Sequence, residues 1–395
     1  MEANPVGPAH GGALGTNLPR VLQLIHEHRR ISRSEIGAIT GLSRSAVGNL
    51  VNKACDLGLA RIVEHRAPES VGRPSLEVEA SEYIVAIAVH PEVDFLELKG
   101  VGFNGEIVAS KRITLQEPLS IPEMVDAIVR QTQALTRRIE KLGPHYDVVG
   151  AGVVIPGQVD SATGTVIHAP HLGWFDVALR DILEARLDLP LYFGNDGALG
   201  CKAEIRFGAA EGASEVVYLH GSSGIGGGAY TRGRELNGRN GIVAEFGHIR
   251  VSSDNTRDYS GLPGTLEALV RREDLEQVLG LSKVSDEVLE DTLLGQRTTQ
   301  STELVRRQID TLAVATANLI NIFNPETVVL AGFLRSLYRF DQSLFLECLK
   351  KHAIPANLRS LNIFLDELGG NSVAIGAAEL VFEHLMMNPD RVTAH

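Results

Sequence analysis

The feature that most limits what this chain can fold into is a short apolar strand followed directly by a cluster of glycines. The segment Val216-Val-Tyr-Leu-His220 is apolar and β-branched, as expected of a buried strand, and Gly221-Ser-Ser-Gly-Ile-Gly-Gly-Gly228 follows it. Glycines in that position let the backbone adopt positive φ and approach a ligand closely. Exposed N–H groups in such a loop can hold an anion or hydroxyl groups. Without further context, the pattern is equally typical of an ordinary tight turn.

Polar residues follow this glycine run at regular places. Glu245-Phe-Gly-His248 puts a carboxylate and an imidazole three residues apart, so both can face one ligand. The segment Gly261-Leu-Pro-Gly-Thr-Leu-Glu267 then ends on a second carboxylate. Carboxylate and imidazole groups suit either sugar hydroxyls or a metal ion.

Length, composition and charge limit the class of protein. A chain of 395 residues predicts two or three domains. No apolar run is long enough to span a bilayer and the N-terminus lacks the pattern of a signal peptide. Three widely spaced cysteines indicate reduced thiols, and we therefore expect a cytoplasmic protein. Residues 1–80 are nearly neutral, and the net charge of −12 falls on the remainder, which fits a DNA-binding module on an acidic body.

The N-terminal part has the pattern of a DNA-binding domain. We assign residues 1–15 to a disordered N-terminus and residues 16–80 to a winged helix-turn-helix of three helices and a two-stranded wing. A capping box at Ser32-Arg-Ser-Glu35 begins the second helix, and Ser43 caps the third. The alternative is a packing hairpin with a solvated polar face. The residues predicted to contact DNA are Arg44, Ser45, Asn49, Asn52 and Lys53 on the third helix, and Arg66 and Arg73 in the wing.

The glycine run and its spacing to Glu245-Phe-Gly-His248 resemble the ROK family of repressors, open reading frames and sugar kinases. The segments Gly150-Ala-Gly-Val-Val-Ile-Pro-Gly157 and His168-Ala-Pro-His-Leu-Gly-Trp174 are similar to two further family motifs. The resemblance covers roughly residues 82–388. Gly72-Arg-Pro74, just before the body, is similar to the wing ending of the ROK repressors.

The resemblance implies an α/β fold in which the winged helix-turn-helix precedes a two-lobed, actin-like (ribonuclease H-like) ROK domain. Lobe 1 would comprise residues 81–198, completed by about residues 372–388, and lobe 2 residues 199–371. In ROK kinases the position of Asp196 is the general base for the sugar hydroxyl, and that of Asn195 binds an adjacent hydroxyl. The sugar-binding residues implied for this chain are Gly157, His171, Asn195, Asp196, Glu245, His248 and Glu267.

The chain departs from the kinase pattern at three places. The phosphate-binding turn Asp-x-Gly-Gly-Thr is replaced by His90-Pro-Glu-Val93, in which proline lacks an N–H and Glu92 would repel phosphate. Ala331-Gly-Phe333 stands where kinases carry a glycine pair near adenine. The three cysteines of the family's zinc loop are replaced by Asp258, Ser260 and Thr265, so we predict no zinc, no other cofactor and no kinase activity.

The sequence therefore predicts a DNA-binding transcriptional regulator of carbohydrate metabolism genes, expected to be a repressor. Its partners would be a pseudo-palindromic DNA operator and a sugar effector bound between the lobes, and it would act as a homodimer or homotetramer without a membrane. Two alternatives stay open. One is an active ATP-dependent sugar kinase with an added DNA-binding domain, and the other is a regulator controlled by a partner protein through a vestigial cleft.

Overall fold

The N-terminal module contains three helices and a small antiparallel sheet in strand order β1-β3-β2. The computed structural model describes residues 13–64, 76–239 and 241–391, so Arg66 and Arg73 lie outside the described residues. The core of the module is formed by apolar side chains from one face of each helix, including Val21, Ile36 and Val47. Its elements are α1 (Ala13–His28), β1 (Arg30–Ser32), α2 (Arg33–Thr40), α3 (Arg44–Asp56), β2 (Ala60–Glu64) and β3 (Leu76–Ala80).

Local side-chain hydrogen bonds explain where these helices begin. Ser32 and Glu35 form a reciprocal capping box at α2, and the Ser43 hydroxyl accepts from the Ala46 N–H at the start of α3. Two details differ from the sequence prediction. Helix α1 begins at Ala13, so residues 13–15 are helical rather than part of a disordered N-terminus. The wing sheet also gains a third strand, β1, which pairs with β3.

The first lobe is built on a five-stranded sheet in the order β11-β7-β4-β5-β6. Strands β4, β7 and β11 are parallel, whereas β5 and β6 are joined to them as antiparallel hairpins. Parallel strands buried on both faces read as continuous apolar runs, as β4 and β7 do. The elements are β4 (Ile84–Pro91), β5 (Phe95–Gly102), β6 (Ile107–Thr114), α4 (Ile121–Glu140), β7 (Asp147–Ile155), β8 (Gln158–Asp160), β9 (Thr165–Ala169), β10 (Trp174–Ala178), α5 (Leu179–Glu184) and β11 (Leu191–Asn195).

The second lobe repeats this plan with a sheet in the order β14-β13-β12-β15-β16. Strands β12, β15 and β16 are parallel, and the glycine run makes the turn between β12 and the antiparallel strand β13. The elements that follow β11 along the chain are α6 (Asp196–Phe207), β12 (Val216–Gly221), β13 (Ile225–Thr231), β14 (Arg234–Glu235), α7 (Leu266–Leu269), α8 (Arg272–Leu279), α9 (Asp286–Gly295), α10 (Thr299–Phe323), β15 (Thr327–Gly332), α11 (Phe333–Phe340), α12 (Gln342–His352), β16 (Asn362–Leu365) and α13 (Ser372–Met387).

Helices α6 and α13 connect the three parts of the molecule. Helix α6 leaves the end of β11 and packs against β13, while α13 returns from the second lobe to lie on β4 and β7. Helix α1 of the N-terminal module also packs on α13. The two helices therefore link the two lobes to the N-terminal module. None of the helices in the described ranges is both long and apolar enough to cross a membrane.

Candidate functional site

The cleft between the lobes begins where β11 ends and α6 starts. The Asn195 amide oxygen accepts from the Ala198 N–H (3.2 Å) and caps α6, and its amide nitrogen donates to the Gly157 carbonyl (3.0 Å). Gly157 has φ +150°, and a Cβ there would lie 2.5 Å from the His168 carbonyl oxygen, so only glycine fits. Asn195 thus holds two turns together beside Asp196, which is only 8% exposed.

The glycine run approaches the carboxylates from the second lobe. The Ile225 N–H donates to Glu267 Oε2 at 2.7 Å. A Cβ on Gly224 would lie 2.3 Å from that same oxygen and 3.0 Å from His171 Nε2, so the run needs glycine to pass between these side chains. The glycines therefore allow the backbone to pass close to polar side chains, in addition to forming a tight turn.

The predicted polar residues of both lobes converge on this cleft. Glu245 Oε2 lies 3.9 Å from His248 Nε2, and His171 Nε2 lies 3.9 Å from Glu267 Oε1. The Glu267 Oε1 atom is buried and has no hydrogen-bond partner in the described structure. A buried acceptor without a partner is costly unless a ligand completes it. The cleft thus offers an acceptor that a hydroxyl group can satisfy.

Burial dominates the protonation of these groups. It raises the pKa values of Asp196, Glu245 and Glu267 and lowers the pKa of His171, because the charged forms lose solvation. Although burial also lowers the pKa of His248, the hydrogen bond to Asp258 and the nearby carboxylates outweigh it and raise that pKa. The cleft therefore combines buried carboxyl groups with imidazoles, and together these groups can donate to and accept from hydroxyls.

A hydrogen-bonded cluster occupies the place of the family's zinc loop. Asp258 Oδ2 lies 2.9 Å from His248 Nδ1 and accepts from the Thr265 hydroxyl at 2.8 Å, while Oδ1 accepts from the Leu262 N–H at 2.9 Å. The Thr265 hydroxyl in turn accepts from the Ala268 N–H and caps α7, which carries Glu267. One aspartate thus orders the loop and orients both His248 and Glu267.

These residues do not fit a tetrahedral structural zinc. Ligand atoms of His248, Asp258 and Glu267 lie within 4.8 Å of one another, a spacing that a metal could use. The loop nevertheless supplies no thiolate, and three side-chain ligands are fewer than the four of a structural site. Both Asp258 oxygens and His248 Nδ1 are already engaged in hydrogen bonds of ordinary length. The absence of bound zinc remains a prediction for metal analysis.

The predicted DNA-contacting face of α3 is only partly free. Arg44, Ser45 and Asn49 are exposed at and after the N-terminal end of the helix. Asn52 accepts a hydrogen bond from Arg33 (3.2 Å), and Lys53 forms an ion pair with Asp390 (2.9 Å). Asn52 and Lys53 therefore already have protein partners, and Ser45 shares a hydrogen bond with the neighbouring Ser43 (3.1 Å), whereas Arg44 and Asn49 are exposed to solvent.

Sequence reasoning missed a buried ionic cluster between the N-terminal module and the body. Glu379 of α13 is fully buried, and its carboxylate lies 2.9 Å from His26 Nε2 of α1. It also accepts from Arg206 of α6 at 2.5 Å. The other His26 nitrogen contacts the Phe103 carbonyl oxygen. These residues are up to 353 positions apart, so no local pattern could have revealed the cluster.

A winged helix-turn-helix module followed by two lobes with a sugar-kinase topology defines the class of protein, and the comparisons agree with it. The ROK family model matches residues 96–384, and the chain belongs to the ROK family. A putative xylose repressor of Caldicellulosiruptor sp. (strain Rt8B.4) is 27% identical, over 94% of this chain and 96% of its own. The DNA-binding transcriptional dual regulator NagC of Escherichia coli (strain K12) is 26% identical, over 94% of this chain and 93% of its own.

Solved structures confirm the predicted fold class. The crystal structure of a ROK family transcriptional regulator, a homologue of the Escherichia coli Mlc protein, superposes with a TM-score of 0.77 at 20% identity, covering 96% of this chain and 98% of its own. A ROK family glucokinase from Streptomyces griseus, in complex with glucose and AMPPNP, gives a TM-score of 0.61 at 24% identity, covering 75% of this chain and 98% of its own. The glucokinase covers a smaller share of this chain than the regulator does.

Proposed function

We propose that this protein is a transcriptional repressor of carbohydrate metabolism genes whose DNA affinity changes when a sugar binds between its two lobes. The observation that carries the proposal is the convergence of buried polar groups on one cleft in a chain that also carries a winged helix-turn-helix module. Repressor relatives that match almost the full length of the chain support it.

The chemistry of the cleft suits a sugar. Vicinal hydroxyls each donate and accept, so carboxyl and imidazole groups can bind them in pairs. Asp196 would accept from one hydroxyl, while Glu245, His248 and Glu267 would bind others, and the unpartnered Glu267 Oε1 would gain its missing hydrogen bond. A ligand without those hydroxyls would leave the groups unpaired at a cost of about 1–3 kcal/mol each.

The structure offers a route by which such binding can affect the N-terminal module. Asp196 is the first residue of α6, and Arg206 lies near the end of the same helix. Arg206 contacts Glu379, which contacts His26 of α1. A sugar held by both lobes binds their closed arrangement more tightly, and that difference in affinity is what can shift the module between DNA-binding states.

We also propose that the protein is not a kinase and that it holds no cofactor. The turn that replaces the kinase phosphate-binding turn carries Glu92, which is 1% exposed and accepts from the hydroxyls of Ser222 and Ser223. A carboxyl group bound there occupies the corner that a phosphate would need. The protein would read a pseudo-palindromic operator as a homodimer or homotetramer, with Arg44, Ser45 and Asn49 at base edges.

The test combines operator binding with a sugar panel. An operator is first selected from random DNA by the purified full-length protein, and its affinity is measured by fluorescence anisotropy at fixed salt. We expect at least one sugar to change that affinity. Asp196→Ala and Glu245→Ala should abolish the change while leaving the affinity of the unliganded protein intact.

The matched control is Glu347→Ala, which removes an exposed carboxylate that pairs with the neighbouring Lys351 at 3.2 Å. It should keep the full sugar response. A response that survives both cleft substitutions would instead favour control by a partner protein. Sugar-dependent ATP hydrolysis would favour the kinase alternative.

A further inference from the structure

The turn between β4 and β5 sends one acidic side chain across the cleft. Glu92 belongs to the first lobe, yet its carboxyl oxygens accept from Ser223 Oγ at 3.2 and 3.4 Å and from Ser222 Oγ at 3.4 Å. Both serines belong to the glycine run of the second lobe. The side chain is 1% exposed, so it fills the corner of the cleft next to Asp196.

The charges around this corner do not favour an anion. Burial and the Asp196 carboxylate raise the pKa of Glu92 to about 8, and burial lowers the pKa of His90 to about 3, so His90 carries no positive charge at neutral pH. Lys99 donates to the Gly370 carbonyl oxygen and Asn371 and pairs with Glu97. Arg112 also pairs with Glu97 and lies over the Phe95 ring.

The backbone around the corner is equally unsuited to an anion. The Glu92 N–H donates to the Phe95 carbonyl (2.8 Å), the Val93 N–H to the Glu92 carboxyl group (3.3 Å), and the Ser222 N–H to the Gly224 carbonyl (2.9 Å). Pro91 has no N–H to offer. These amides therefore cannot cradle a phosphate without losing bonds they already make.

We propose that Glu92 is a specificity-determining residue that restricts the effector to an unphosphorylated sugar, one that presents a free hydroxyl to Asp196. The inference rests on the proposed sugar-binding function. A phosphate carries a charge of about −1.5 to −2 at neutral pH. It would have to displace Glu92 from both serines. It would also have to lie beside the buried carboxyl group of Asp196 without a cationic partner, which is costly. A hydroxyl meets neither obstacle.

The test is isothermal titration of the full-length protein at pH 7 with matched pairs: glucose and glucose 6-phosphate, mannose and mannose 6-phosphate, and N-acetylglucosamine and its 6-phosphate. Displacing Glu92 from both serines and placing the phosphate beside the buried Asp196 carboxyl group without a cationic partner both oppose binding, so at least one parent sugar should bind, and at least about 100-fold tighter than its phosphate. Glu92→Ser vacates the corner and frees both serine hydroxyls, and should reduce this ratio at least about tenfold.

Two controls separate the role of Glu92 from general effects. Glu97→Ser removes a neighbouring carboxylate that pairs with Lys99 and Arg112 outside the corner, and should leave the ratio unchanged. Glu92→Gln keeps the side chain's size and its capacity to accept from the serines, and should retain the discrimination. If Glu92→Ser does not fold, a wild-type protein that binds a sugar and its phosphate equally well still overturns the proposal.

The outcomes are distinct. A phosphorylated sugar that binds the wild-type protein as well as its parent, or better, overturns the role of Glu92 while leaving the proposed sugar response standing. A ratio unchanged in Glu92→Ser overturns it as well. If no sugar of either class binds, the proposed function fails and this inference falls with it.

Discussion

Replacing Glu379 by glutamine should loosen the N-terminal module from the body. The side chain keeps its size, so no cavity forms, but His26 loses its carboxylate at 2.9 Å. Both partners are fully buried, and removing one partner of a buried ion pair costs about 3–5 kcal/mol. Arg206 is less affected because Glu383 still lies 2.9 Å from its other nitrogen.

Hydrogen exchange measures this loss where it occurs. If local opening of α1 and α13 becomes about 3–5 kcal/mol easier, their slowest amides should exchange roughly 100- to 5000-fold faster. Glu383→Gln is the matched control on the same helix. Its carboxylate is 34% exposed, and its partner Lys202 retains Glu235 at 3.1 Å, so the expected effect is below about 1 kcal/mol.

The same substitution should change the response to acid. Burial alone would raise the pKa of Glu379, but His26 and Arg206 outweigh burial and lower this pKa to about 2, below the ordinary value of 4.5. A depressed carboxyl pKa stabilises the folded state fully above about pH 4.5, and the stabilisation is lost as the pH falls towards 2. Glu379→Gln should therefore flatten the dependence of stability on pH in that window.

Two results would refute this reasoning. One is that the exchange rates in Glu379→Gln match those in Glu383→Gln. The attraction between His26 and Glu379 would then contribute no more free energy than burying the two groups costs in lost hydration. A double variant, His26→Gln with Glu379→Gln, should be more stable than Glu379→Gln alone because no buried imidazole is left without its carboxylate partner. A double variant that is less stable than the single one would assign the loss to packing.

Three further predictions concern kinase activity, zinc binding by the loop that carries Asp258, and the predicted DNA-contacting residues. A coupled assay with MgATP and common hexoses or N-acetylhexosamines should show no turnover above background. Metal analysis of the purified protein should find no stoichiometric zinc. The triple variant Asp258→Cys, Ser260→Cys, Thr265→Cys should bind about one zinc ion per chain, with His248 as the fourth ligand. Equal zinc contents in the two proteins would contradict the idea that Asp258 replaces the metal. Arg44→Ala should weaken operator binding by about 1–3 kcal/mol and relax base preference, while Arg66→Ala should weaken all sequences evenly; unchanged affinities would show that the recognition face is misassigned.

The features that the sequence determined are those that depend on neighbours along the chain. The apolar strand before the glycine run, the caps at Ser32 and Ser43, and the spacing of Glu245 to His248 all act within a few residues. Periodicity and capping chemistry are local, so they predict elements and their order. The family resemblance then supplied the two-lobed arrangement and the expectation that the polar residues meet in a cleft.

Only the tertiary structure decided which side chains hold that cleft together. Asp258 reads in sequence as a lost zinc ligand, yet it accepts from Thr265 and contacts His248. From the sequence, Glu92 is a residue that repels phosphate, yet its carboxyl group contacts serines 130 and 131 positions away. Glu379 meets a histidine 353 positions away. Such contacts depend on the packing of whole elements, and a buried carboxylate can be stabilised by any suitable donor that the fold brings near it, so no pattern in the sequence specifies the partner.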